Sequence, residues 1–415
     1  MIGNIDPTQK TATVIGAGIS GLLIAYALKK RGFQVKVLEA SSRMGGLIET
    51  LETPFGIAER AAHSLMVTPE SLKFFQELNI ELCEINPTSK ARYIYRHGKM
   101  KRMPLSLFEA TKTLRRFVSA PKISFSPDSG SLEDWGNAYL GASATQYLLS
   151  PFVTGIFATH PKELLASLAF PRLVPTKSGI SLYRHFKSVK KTARPKMMAP
   201  KNGMKELVNA LKNYLKDEIQ LNHDVDELPN HPNLILTVPS AALSELLQES
   251  DRSSAEKLLK VRYAPLISLT CFFKKEKLSK NLRGVGVLIP RGEGLRMLGC
   301  LFNSSAFPNR TADPSYESFT AMYGGTEDTE IMHLDSKALK GLVNQELQTL
   351  LGALKPADSI EISRWKQAIP IYSIELKEAQ DSLKIGFCSK PGRVVFNNYS
   401  KDVSIRGLIN ATLQL

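Results

Sequence analysis

Residues 13–46 read TVIGAGISGLLIAYALKKRGFQVKVLEASSRMGG, and the fold follows from this stretch. Val14 and Ile15 close an apolar strand. Residues 19–30 have helical spacing, with Leu22, Leu23, Tyr26 and Ala27 recurring on it and Gly32 as the stop. FQVKVLEA is a second strand, so the chain opens as a βαβ unit on a parallel sheet. Between strand and helix lie Gly16, Gly18 and Gly21 in G-x-G-x-x-G register, with Ile19 and Ser20 inside the motif. Gly16 permits a tight turn, Gly18 lets backbone approach a pyrophosphate, and Gly21 lets the helix pack on the sheet. The helix N-terminus then meets the phosphate charge. Glu39 follows Gly21 by 18 residues. A carboxylate there accepts hydrogen bonds from ribose hydroxyls and repels a 2′-phosphate, which disfavours NADP.

The chain has 415 residues, 43% hydrophobic and 22% charged, enough for two or three packed units. No window of the length needed to span a bilayer is free of charge, and the N-terminus shows no apolar signal core. The expected location is therefore the cytoplasm, with a peripheral contact on the inner face of the membrane left open. Four scattered cysteines without a CxxC pair read as reduced structural thiols, and no metal-ligand spacing occurs. The net charge of +15 is localised. Residues 90–122 carry ten Lys/Arg against one acid, and residues 184–205 carry eight against none, which accounts for the whole excess. Such segments mark either two solvated faces or a surface for anionic lipid or a carboxylated substrate. Nucleic acid is not expected, because no recognition fold or aromatic stacking pattern accompanies them.

Further along, residues 71–78 read as a short helix and ARYIYRHGKMKRM as a hairpin turning at His97 and Gly98. Residues 104–190 are mainly helical in pattern. LSLFEATKTLRRFV puts Leu107, Phe108, Thr111, Leu114 and Val118 on one side. THPKELLASLAF reads as a helix started by Pro161. Residues 184–203, basic and punctuated by Pro195 and Pro200, read as a loop. GMKELVNALKNYL is an amphipathic helix, and NLILTVPSAALSELL is a buried strand followed by a helix. The runs APLISLTCFF, GVGVLIP, RMLGCLF and ESFTAMYGG suggest a largely antiparallel second sheet. Residues 336–351 form a helix, and the tail reads strand, loop, helix.

EASSRMGGLIET resembles the ExxxxRxGGxxxT extension of large FAD enzymes of the amine oxidase type. SPFVTGIFATHPKELLASLAFPRL, KNGMKELVNAL, GVGVLIPRGEGLRMLGCLFNSSAFPNR, RWKQAIPIY and NNYSKDVSIRGLI are similar to segments of the FAD-dependent protoporphyrinogen/coproporphyrinogen oxidases. The resemblance runs from about residue 11 onward. It implies an α/β chain in which a discontinuous Rossmann-like FAD-binding domain (1–89, 200–260 and 373–415) carries a helical, membrane-binding insert (90–199) and a β-rich substrate domain (261–372). It implies non-covalent FAD. Gly16, Gly18, Ile19, Ser20, Gly21, Glu39, Ala40, Arg43, Gly45, Gly46, Val225, Trp365, Asn398, Val403 and Ser404 would hold it. Arg43 would pair with the pyrophosphate, and Gly45 and Gly46 would leave room for the ribityl chain. His63 and Arg60 are the candidates for binding substrate.

The implied reaction is oxidation of a porphyrinogen to the porphyrin in heme biosynthesis, by hydride transfer to flavin N5, with oxygen or another acceptor restoring the flavin. No catalytic dyad stands out. An oligomer is compatible with the sequence. A related FAD amine oxidase or desaturase, and a non-catalytic tetrapyrrole- or membrane-binding descendant, are the alternatives. The second is suggested by departures from the family pattern: Ala61 and Ala62 for Gly-Pro, Ser373 and Ile374 for Gly-His, Asn397 for Gly, and Lys401 and Asp402 for Gly-Gly. Side chains at such glycine positions are expected to crowd the flavin or to re-aim the loop.

Overall fold

The structure is a computed structural model that describes residues 1–121, 125–175, 179–189, 193–280, 282–400 and 402–415. Strand Thr11–Ile15 pairs in parallel with Gln34–Leu38 on one side and Leu234–Leu236 on the other. Ile219–Gln220 and Arg393–Val395 complete a five-stranded parallel sheet. Three separate parts of the chain therefore build one sheet. Alternation along the strands divides the side chains between two cores. Val14, Val37, Ile235 and Val394 face helices Ile19–Lys30, Lys205–Leu215 and Ile405–Leu413. Ile15, Leu234, Leu236 and Val395 face helices Ser240–Leu247, Arg252–Leu258 and Ile374–Ile385. This is a doubly wound α/β unit.

Helix Ile19–Lys30 is buried from Ser20 to Leu28, because it lies between the sheet and two further helices. It ends as the sequence directs. Phe33 N–H bonds Leu28 O and Gly32 N–H bonds Lys29 O, and Gly32 takes φ +79° to close this Schellman turn.

The second sheet has seven strands, in the order Ser359–Pro370, Tyr263–Lys274, Tyr316–Gly324, Gly299–Phe302, Gly286–Leu288, Arg92–Arg96 and Lys99–Lys101. All its pairings are antiparallel except that between Gly286–Leu288 and Arg92–Arg96. One face packs Ile267, Leu269 and Cys271 against Leu339, Val343 and Leu347 of helix Ser336–Leu351. The other face turns Leu266, Leu298 and Met322 toward the parallel-sheet unit.

Several expectations need correction. The hairpin through His97 and Gly98 forms, but its strands belong to the large sheet and not to the helical insert. Residues 184–203 are not simply a loop. Helix Leu182–Ser188 covers their start, and strand Lys196–Pro200 pairs with both Leu65–Val67 and Leu82–Glu84. The buried Met198 and Ala199 supply the reason, which the surrounding lysines hide in the sequence. THPKELLASLAF is not one helix. A single turn, Pro161–Glu163, is followed by Ala166–Ala169, because Glu163 is drawn out to Thr326 (2.6 Å) and Arg262 (2.8 Å) and Leu165 N–H bonds Tyr372 O.

Helix Leu107–Val118 forms, and its N-terminus carries a capping box between Ser106 and Glu109. None of its residues is buried, and Leu107 and Phe108 are 88% and 68% exposed.

Candidate cofactor and substrate site

A cavity of about 1010 Å³ runs from the carboxyl ends of the parallel strands to the face of the large sheet. Its first end is made of backbone. Gly16 turns with φ +100° and donates its N–H to Leu38 O at 2.7 Å. A Cβ on Gly21 would stand 1.9 Å from Gly16 O, so only glycine lets the helix start pack so close to the turn. Gly18 bridges to Gly45, and Gly45 N–H bonds Ala17 O at 2.8 Å. The cradle thus has the first glycine turn on one side and Gly45 and Gly46 on the other. A Cβ added at Gly18 would meet nothing of the protein nearer than 4.0 Å, so the space beside it is open toward the cavity. The first helical turn carries no acidic residue, which leaves its positive end open to an anion.

Glu39 is set beside this cradle. Its Oε2 accepts from Ala17 N–H at 2.6 Å, and its Oε1 accepts from Ser41 N–H and Oγ at 3.0 and 2.6 Å. Oε1 thus has both lone pairs engaged, while Oε2 keeps acceptor capacity for a ribose hydroxyl. Val225 lines the same end. The donor set, the glycine cradle and the carboxylate together fit an adenine dinucleotide.

The second end is apolar. Leu266, Leu288, Leu298, Met322 and Ile369 line it, with Trp365 and Gln367 on one edge strand. Asn398, Val403 and Ser404 line the side between the two ends. Tyr372 donates its hydroxyl to Asn398 O at 2.6 Å, and Asp402 accepts from Ser404 N–H and Oγ, so this segment is held from behind.

Of the residues expected at a cofactor, Gly16, Gly18, Ile19, Ser20, Glu39, Ala40, Gly45, Gly46, Val225, Trp365, Asn398, Val403 and Ser404 line the cavity. Gly21 lies behind the wall. Arg43 also departs from expectation. Its guanidinium donates to Gly46 O (2.6 Å), Met44 O (3.3 Å) and Ile48 O (3.4 Å), so it clamps the loop and does not line the cavity.

Neither substrate candidate lines the cavity. Arg60 is engaged by Glu49 Oε2 at 2.8 Å and Ser363 Oγ at 3.3 Å. His63 is half-buried, with Nε2 sealed from solvent and without a partner. Burial, aided by the nearby Arg310 charge, pushes its pKa down to about 3, so it is neutral at ordinary pH and offers no cation to a carboxylate.

Among the altered glycine positions, Asn397 lines the cavity. Asn397 stays out of the left-handed region; its Nδ2 donates to Val238 O at 3.3 Å and its Oδ1 accepts from Tyr399 N–H at 3.2 Å. Ser373 is the residue preceding helix Ile374–Ile385, and Ala61 and Ala62 simply line the wall. Lys401 lies outside the described residues. The sequence implies an apolar cavity beneath the second sheet but names only Trp365 in its lining. Its one signal there is the i, i+2 spacing of Trp365, Gln367 and Ile369, which puts all three on one face of a strand.

A doubly wound sheet with a glycine cradle and a carboxylate set beside it, opening onto an apolar chamber, defines a dinucleotide-binding flavoprotein. The flavin containing amine oxidoreductase family model matches residues 19–382, and the chain belongs to that family. It is an FAD-dependent oxidoreductase. Protoporphyrinogen oxidase 2, chloroplastic/mitochondrial, of Arabidopsis thaliana is 26% identical over 95% of this chain and 91% of its own length. Coproporphyrinogen III oxidase of Bacillus subtilis is 22% identical over 90% of this chain and 91% of its own length. A crystallised protein of Exiguobacterium sp. 255-15, assigned as a protoporphyrinogen oxidase, shares the fold with a TM-score of 0.78 at 16% identity, covering 99% of this chain and 98% of that one.

Proposed function

We propose that this protein oxidises a porphyrinogen, protoporphyrinogen or coproporphyrinogen, to the porphyrin. The observation that carries this reading is a dinucleotide cradle continuous with a large apolar chamber, in a chain aligned almost end to end with porphyrinogen oxidases. FAD, when bound, supplies a two-electron acceptor at N5 and is restored by oxygen or another acceptor. The chain's part is placement. Gly16, Gly18, Gly45, Gly46 and Glu39 fix the dinucleotide and so set where its redox end lies. Leu266, Leu298, Met322 and Ile369 exclude water and hold the apolar faces of a macrocycle.

Among the described residues lining the apolar end there is no Lys, Arg, Asp, Glu or His. Carboxylates of the substrate therefore stay at the mouth, near the exposed Gln367, since an unpaired buried charge is costly. Protons leaving pyrrole nitrogens go to solvent by the same opening. The test is porphyrin fluorescence from each reduced substrate with FAD-loaded protein. A rise above the buffer control is expected for at least one; flavin bound without any gain for either overturns the reading.

The domain division proposed is an FAD-binding unit of residues 1–89, 200–260 and 373–415 and a substrate unit of 261–372 joined by strands Arg92–Arg96 and Lys99–Lys101. The remainder of 90–199 is the insert. No helix among the described residues is long and apolar enough to cross a membrane. Instead, exposed Leu107, Phe108, Leu114 and Val118 share their helix with Lys112, Arg115 and Arg116, which suits the surface of an anionic bilayer. Co-sedimentation with phosphatidylserine vesicles should exceed that with neutral vesicles. Replacing Phe108 and Leu114 together by Ser should weaken it by about tenfold, as expected for withdrawing two partly buried side chains. Equal binding of parent and variant removes the proposed surface.

A further inference from the structure

Behind the cavity wall a row of charged groups runs from the Gly45–Gly46 loop to the edge strand of the large sheet. Trp365, on the edge strand Ser359–Pro370, lines the cavity, and its Nε1–H donates to Arg60 O at 2.8 Å. The Arg60 guanidinium lies over the indole, 5.2 Å from Cζ to the ring centroid. Its Nη1 donates to Glu49 Oε2 at 2.8 Å, and its Nε donates to the buried Ser363 Oγ at 3.3 Å. Glu49 Oε2 also lies 3.7 Å from Arg43 Nη2, the atom that donates to Gly46 O at 2.6 Å. A backbone bond from Arg60 N–H to Glu49 O at 2.9 Å keeps the two residues in register. One carboxylate oxygen therefore stands between the arginine that clamps the glycine loop and the arginine that covers the indole.

We propose that Glu49 is a positioning residue: by holding Arg43 and Arg60 at once, it fixes Trp365 in the cavity wall and ties that placement to the Gly45–Gly46 loop. Ion pairs this open to solvent add little to stability, so the value of the arrangement lies in geometry. A guanidinium is planar and can stack on an indole while its edge meets a carboxylate. Without Glu49 the Arg60 head group is held over the ring only by Ser363 and the stack itself, and Trp365 gains freedom toward the cavity. A dinucleotide that orders Gly45 and Gly46 is then felt at Trp365, and by reciprocity the freedom of Trp365 is felt in dinucleotide affinity.

The chain has two tryptophans. The other, Trp135, is buried among helices of the insert, so a Trp135→Phe background leaves Trp365 as the sole reporter. Acrylamide quenching and emission are read on the apoprotein, and FAD affinity is then read by titration. Glu49→Gln is expected to red-shift Trp365 emission, to raise its quenching constant and to raise the Kd for FAD about fivefold, at the low end of coupling between sites. Arg60→Lys keeps the charge but loses the planar stack, and should move all three the same way. If Glu49→Gln does not fold, Arg60→Lys decides alone. Parent-like emission, quenching and Kd in folded variants overturn the proposal. No porphyrinogen enters these measurements, so the outcome is independent of the substrate assignment.

Discussion

Gly18→Val is expected to fold like the parent and to emerge from purification without colour. Gly18 has φ −65° and ψ 172°, an extended conformation open to any residue, and nothing of the protein lies within 4.0 Å of an added Cβ except Gly46 Cα at that limit. The apoprotein has room for the added Cβ. A pyrophosphate held at the N-terminus of helix Ile19–Lys30 does not leave that room. Overpacking of this kind costs about 1–3 kcal/mol, so FAD affinity should fall by about 5- to 150-fold. The contrast is Gly21→Val, whose Cβ would meet Gly16 O at 1.9 Å and Thr237 Oγ1 at 2.8 Å. That variant should lose both thermal stability and flavin. Melting temperature of the apoprotein and FAD titration separate the two cases. A Gly18→Val protein that melts like the parent and binds FAD with the parent's Kd would show that the cradle is not where the dinucleotide lies.

The glycine turn was legible because everything it needs is local. Strand, turn, helix and Glu39 lie within one short stretch, and the Schellman stop at Gly32 is written in the same residues. Arg43 was not legible, although its register was. Where its guanidinium goes depends on three backbone carbonyls and on Glu49, and their positions follow from the loop's final path. Strand Ser359–Pro370 gave no alternation, because both its faces carry polar groups: Ser363 and Gln367 on one, Arg364 and Lys366 on the other. The strand exists because Tyr263–Lys274 pairs with it from about a hundred positions away. Arg92–Arg96 pairs with Gly286–Leu288 across a still longer separation, which local pattern cannot report. His63 shows the same limit in chemical terms. Its residue type suggests a donor for a carboxylate, but burial beside Arg310 decides its charge, and burial belongs to the folded chain alone.

Glu59 and His63 should give the protein a pH profile whose two slopes cancel, and single substitutions should expose each. Glu59 is buried at the end of strand Gly56–Glu59, where it accepts from Thr50 Oγ1 at 2.7 Å and from Met204 N–H at 2.7 Å. Burial pushes its pKa up from 4.5 to about 7, against the pull of these bonds and of Arg310 and Lys205. Between those values the native state holds a proton that the unfolded chain has released, so stability falls as pH rises, by at most about 3 kcal/mol. His63 acts in the other sense. Its native value of about 3 lies below its ordinary 6.5, so the unfolded chain takes up a proton first and stability falls as pH drops through that interval. Over the shared window from 4.5 to 6.5 the two contributions oppose. Glu59→Gln keeps an acceptor for Met204 N–H and removes the titration, so its urea midpoint should climb with pH across the window. His63→Gln should instead fall across it, and the parent should lie between. Equal slopes for parent and Glu59→Gln would mean that Glu59 is already ionised in the native state, with Arg310 and the start of helix Lys205–Leu215 outweighing its burial.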